Sequence, residues 1–103
     1  MNTLTRLSKD IPELIREHIA LFDSFEHVYL FGSALNPDVI YNDIDILTIY
    51  TEYSSKIGND LKLISDKLEK ASGVFVDLTV LSVEEEKDTA FLEKIKPHYL
   101  KIK

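Results

Sequence analysis

Three short runs dominate this chain: His27-Val28-Tyr29-Leu30-Phe31, Asp43-Ile44-Asp45-Ile46-Leu47-Thr48-Ile49-Tyr50 and Val74-Phe75-Val76-Asp77-Leu78-Thr79-Val80-Leu81. They are largely apolar and β-branched, as expected of strands covered on both faces, and they alternate with segments of helical period. The anomaly is aspartate. Asp43, Asp45 and Asp77 lie inside segments that otherwise read as strands, where aspartate is depleted, and burying an ionised carboxylate without a partner costs several kcal/mol. Three carboxylates converging on one sheet need a counter-charge, and a divalent metal is the simplest one.

With 103 residues, the chain is predicted to form a single domain over 1–103, burying roughly two-thirds of its unfolded surface. There is no cysteine, so neither a disulfide framework nor a thiolate zinc site is available, and His18, His27 and His98 are too scattered to replace one. Arg6, Lys9, Asp10, Glu13, Arg16 and Glu17 interrupt every hydrophobic run near the N-terminus. No later stretch reaches the ~20 apolar residues of a membrane span. These features predict a soluble, cytoplasmic protein. A formal net charge of -6 argues against broad contact with nucleic acid, because such binding depends on clustered Lys and Arg. Lys94, Lys96, Lys101 and Lys103 read as a solvated tail.

Asp10-Ile11-Pro12 places an N-cap and a proline tolerated in the first turn ahead of Leu14, Ile15, His18, Ile19 and Phe22, which predicts a helix from Ile11 to Phe22. Asn36-Pro37-Asp38 marks a turn within a loop from Ala34 to Asn42. Ile57, Leu61, Ile64 and Leu68 recur at intervals of four, three and four, with Gly73 just beyond, so a second amphipathic helix spans Ser54 or Ser55 to about Ala71. Ser82-Val83-Glu84-Glu85 matches a capping box and opens a third helix, with a further turn or two around Phe91, Leu92 and Ile95 ending at Pro97.

Side chains at i and i+2 of a strand share a face about 6 to 7 Å apart, so Asp43 and Asp45 can hold cations from one side, opposite Ile44 and Ile46. Two-metal sites place their ions about 3.5 to 4 Å apart and clamp the attacking and leaving oxygens of an in-line displacement. Asp77, on another strand, can complete the ligand set and accept the proton of an incoming hydroxyl. Magnesium suits such a site, being hard, oxygen-liganded and commonly shared with substrate phosphates. Gly32 allows close backbone approach to a phosphate, and the Ser33 hydroxyl and nearby N–H groups can hold its oxygens.

Gly32-Ser33, nine intervening residues, Asp43-Ile44-Asp45 and a lone Asp77 in a later apolar strand form a combined pattern. In it the chain, from Val28 to about Leu81, resembles the minimal nucleotidyltransferase domains of the DNA polymerase β-like superfamily. The resemblance implies that Asp43 and Asp45 ligate both metals, that Asp77 ligates the catalytic metal and helps activate the acceptor, and that Gly32 and Ser33 bind the triphosphate. It implies transfer of a nucleoside monophosphate, most often AMP from ATP, with release of pyrophosphate. Small stand-alone members of the group commonly serve as antitoxins that modify a tyrosine of a HEPN-domain ribonuclease toxin with AMP. Many relatives follow Gly-Ser with arginine, whereas Ala34 and Leu35 follow here. Lys56 or Lys62 on the next helix could take the place of that missing cation.

Simpler readings stand beside these. Asp43-Ile44-Asp45 alone fits a solvent-facing edge strand, and Asn42 reads as a turn residue. His27 and His98 read as surface or strand-end residues, and Tyr29, Tyr41, Tyr50 and Tyr53 as packing residues. Val39-Ile40-Tyr41 could contact a partner protein or a second subunit, or fold back on the core. The expectation is an α/β (α+β) domain with a short mixed sheet, helices mainly on one face and the aspartates on the open face at its edge. Its function would be Mg-dependent nucleotidyl transfer to a hydroxyl of a partner protein. The alternative is an antitoxin of the same fold that neutralises its partner by binding alone.

Overall fold

The computed structural model describes residues 10–35 and 42–103. The Asn36-Pro37-Asp38 turn and the Val39-Ile40-Tyr41 contact surface expected from the sequence lie outside the described residues. Helix α1 (Ile11–Glu17) is capped by Asp10, whose carboxylate accepts from the Glu13 N–H at 3.3 Å. The helix expected to run to Phe22 ends at Glu17, and Ile19–Phe22 continues as a 3-10 segment. His18 makes the break. It leaves helical geometry at φ -109, ψ 20, while its Nδ1 lies 2.9 Å from the Leu14 carbonyl.

Strands β1 (His27–Phe31) and β2 (Asp43–Tyr50) pair antiparallel, and β2 pairs in parallel with β3 (Phe75–Ser82) through the crossover helix α2 (Lys56–Ser72). Gly73 ends α2 in the left-handed conformation at φ 79, with its N–H bonded to the Glu69 carbonyl. Short helices α3 (Val83–Thr89) and α4 (Phe91–Ile95) follow. The reciprocal Ser82 and Glu85 capping box starts α3. Strand β4 (Tyr99–Lys101) then returns to pair antiparallel with β1, giving the sheet order β3, β2, β1, β4. The expectation of a solvated C-terminal tail therefore fails: Tyr99 and Leu100 are half-buried, Lys101 Nζ meets His27 Nδ1 at 3.0 Å, and Lys103 Nζ donates to the Phe22 carbonyl at 2.9 Å.

The main core lies on one face of the sheet. Val28, Leu30, Ile44, Ile46 and Val76 meet Ile11, Leu14 and Ile15 of α1, Phe22, and Ile57, Ile64 and Leu68 of α2. These side chains are nearly all fully buried, and full burial of one Ile, Leu or Phe contributes about 1.5–3 kcal/mol. A smaller cluster occupies the opposite face, where Tyr29, Leu47 and Ile49 pack with Phe31, Leu81, Val83, Phe91, Leu92 and Tyr99. Helices thus lie mainly on one face, but α3 and α4 cover much of the other, and at its aspartate end Phe75 and Asp77 are exposed. Among the described residues no helix is long and apolar enough to cross a membrane.

Candidate active site

Alternation along β2 decides where its acids point. Ile44 and Ile46 are buried in the main core, so Asp43 and Asp45 project from the opposite face. In β3, buried Val76 similarly turns Asp77 outward, and the parallel register sets Asp45 directly beside Asp77 and Asp43 beside Phe75. The result is one cluster: each of the three aspartates offers a carboxylate oxygen, and these oxygens all lie within 4.8 Å of one another.

Among the described residues none of the three carboxylates has a hydrogen-bond or ion-pair partner. Asp45, the middle member, is held above the usual carboxylate range by burial first, then by the negative charges of Asp43 and Asp77. Three convergent hard oxygens without a protein cation match the donor set of Mg2+ or a similar divalent ion. Oxygens on opposite sides of an octahedral Mg2+ lie about 4.2 Å apart, twice its bond length, so small side-chain rotations bring the set to that spacing.

Gly32 ends β1 at φ 83, a conformation that disfavours any residue with a Cβ. A second constraint acts at the same position, because a Cβ on Gly32 would lie 2.5 Å from Asp45 Oδ2. The glycine backbone thus lies against the central carboxylate. Ser33 follows at the exposed start of a 3-10 turn, Ser33–Leu35, closed by the Leu35 N–H on the Gly32 carbonyl at 3.2 Å. Ala34 is only 9% exposed and packs into the main core with half-buried Leu35, so this turn is anchored from below.

The sheet therefore brings together Asp43, Asp45 and Asp77, with Gly32 against Asp45 and Ser33 beside it in sequence. Lys56 and Lys62 do not join them. Both lie in the N-terminal half of α2, which packs on the face away from the aspartates, so neither replaces the arginine expected after Gly-Ser. His27 stands at the far end of β1, and His98 is exposed before β4. A cleft of about 460 Å³ opens at the other end of the sheet, lined by Asp23, Glu26, Thr51, Glu52 and Lys103 among others, but no set of metal-ligating atoms converges there among the described residues.

Phe31 and Phe75 border the site and were not singled out in the sequence. Phe31 pairs with Asp45 across the β1–β2 ladder and stacks edge-on against Phe91, with ring centroids 5.6 Å apart. Phe75 stands two residues before Asp77 on the same face and is 60% exposed. Counting by two from Asp77 would have found it.

The described fold, a mixed four-stranded sheet with two acids on an inner strand and a third on its parallel neighbour, is that of a nucleotidyltransferase. The chain belongs to the nucleotidyltransferase domain family, which it matches over residues 12–102. Solved structures agree on the fold. One is a chain of the tri-AMPylated HEPN toxin–MNT antitoxin complex of Shewanella oneidensis, 21% identical with a TM-score of 0.54, covering 89% of this chain and 71% of that one. A Sulfolobus solfataricus protein described as a nucleotidyltransferase is 23% identical with a TM-score of 0.50, over 98% of this chain and 86% of its own. A further Shewanella oneidensis protein gives 18% identity and a TM-score of 0.58, over 93% and 72%. Among curated proteins no match was found.

Proposed function

We propose that this chain is a Mg-dependent nucleotidyltransferase that moves AMP from ATP to a hydroxyl of a partner protein in the cytoplasm, and that the partner is a HEPN-type toxin. The observation that carries the reading is the convergence of Asp43, Asp45 and Asp77 against the backbone of Gly32. The likeness to a chain of a tri-AMPylated HEPN toxin–MNT antitoxin complex supports the choice of AMP and of partner.

Asp43 and Asp45 would hold the metal with Asp77, and Gly32 and Ser33 would receive the triphosphate. Magnesium there neutralises phosphate charge and polarises the reacting phosphorus–oxygen bonds. In the reaction the acceptor oxygen bonds to the α-phosphorus as the bond from that phosphorus to its bridging oxygen breaks, and pyrophosphate leaves. Asp77 is exposed and so can meet the acceptor, and its carboxylate would take the hydroxyl proton. In a chain of net charge -6, an anionic nucleotide needs this cation to approach three acids.

A second reading, neutralisation by binding alone, rests on Ala34. Where many relatives place arginine, this chain has a small side chain turned into the core, leaving no basic group at that point to grip the triphosphate. Incubation with α-labelled ATP, Mg2+ and the proposed HEPN partner separates the two. The enzyme reading expects label on the partner, lost in Asp43→Asn. Neutralisation that survives both Asp43→Asn and Asp77→Asn, without label, selects binding alone.

A further inference from the structure

We propose that Phe75 is the acceptor-recognising residue of this site, packing against an apolar or aromatic segment of the partner protein beside the hydroxyl that is modified. The inference rests on the nucleotidyl-transfer reading above. It begins from three facts about one side chain. Phe75 is 60% exposed, although a ring of its kind commonly buries 150–250 Å². It shares a face with Asp77, two residues on, and lies directly across the parallel ladder from Asp43. Among the described residues it also stacks on no other ring, in contrast to Phe31 on Phe91 and Tyr53 on Tyr50.

In-line displacement then decides which reactant it meets. The attacking and leaving oxygens lie on opposite sides of the reacting phosphorus. Gly32 and Ser33, at the end of β1, mark the side that receives the terminal phosphates and hence the departing pyrophosphate. Strand β2 lies between, and β3 lies on the other side, two strand spacings of about 4.8 Å from β1. The hydroxyl therefore arrives over β3, where Asp77 can take its proton and Phe75 is the exposed apolar neighbour. An apolar ring at that edge favours an apolar or aromatic surface over a phosphate or a water-filled groove.

The test compares wild type with Phe75→Ala and Phe75→Tyr, using ATP, Mg2+ and the HEPN partner proposed above. Because Phe75 is exposed, Phe75→Ala should fold, which circular dichroism checks. We expect a KM for the HEPN protein raised about tenfold or more in Phe75→Ala, as for loss of a central aromatic anchor. The KM for ATP should be unchanged, and Phe75→Tyr should restore the acceptor KM. A raised KM for ATP instead would make Phe75 a base platform and overturn the proposal, as would no change in either constant. Calorimetric binding of the HEPN protein without ATP keeps the two readings distinct. If wild type transfers no label, catalysis fails, but a tenfold affinity loss in Phe75→Ala still upholds the contact, and equal or absent binding sinks it.

Discussion

A Cβ placed on Gly32 would lie 2.5 Å from Asp45 Oδ2, so the glycine that ends β1 and the central acid of β2 occupy each other's space. This close approach sets the Gly32 backbone against the Asp45 carboxylate, and it makes both residues sensitive to a single methyl group.

Gly32→Ala should therefore harm the site more than the fold. The left-handed conformation costs a non-glycine residue about 1–2 kcal/mol, and the methyl group must also push the Asp45 carboxylate away from its neighbours. We expect a stability loss of that order by denaturant melts, and a fall in transfer of about 10²-fold, the scale on which a misplacement of about 1 Å acts.

Asp45 predicts a pH dependence for the metal-free chain. Burial, then Asp43 and Asp77, raise its folded pKa above the unfolded value, so the folded state binds the proton more tightly. Stability then falls as pH rises from the unfolded value, about 3.9, through the folded one, and stays lower at neutral pH. Asp45→Asn removes the charge. In EDTA at pH 7 its Tm should exceed that of wild type by a few degrees, and the gap should close below the ordinary aspartate range.

Ala90 links α3 to α4 at φ 52, a left-handed position filled by a residue with a Cβ. It is exposed, and its N–H closes α3 on the Glu86 carbonyl at 2.8 Å. Ala90→Gly should relieve the strain and raise stability by about 0.5–1 kcal/mol, part of the gain being offset by the greater freedom of unfolded glycine. Because the link lies outside the aspartate cluster, transfer should be unchanged, and chemical denaturation beside a label assay checks both.

Much of this was legible in the sequence because period two and period 3.6 are strong signals. Ile57, Leu61, Ile64 and Leu68 fixed α2, and the alternation of Asp43 and Asp45 with Ile44 and Ile46 fixed which face they share. Other features depended on tertiary context. The turn at His18 breaks the first helix although its apolar period continues to Phe22. Strand β4 is three residues of mixed character, and its pairing with β1 comes from a distant partner that no local pattern names. Lys56 and Lys62 looked available on an exposed helix, but the crossover carries α2 to the other face. The closeness of Asp77 to Asp45 required strand register, which the spacing of apolar runs leaves open.

The central claim is that the three aspartates hold a common divalent cation. Thermal melts of wild type and of the Asp43→Asn, Asp45→Asn and Asp77→Asn variants, titrated with Mg2+ against EDTA, test it most directly. Wild type should gain a Tm that rises with the logarithm of Mg2+ concentration above Kd, about 2.7 kcal/mol of stabilisation at 100 times Kd, and each variant should lose most of it. A wild-type Tm that is the same in EDTA and saturating Mg2+, or a rise retained in all three variants, would contradict the account.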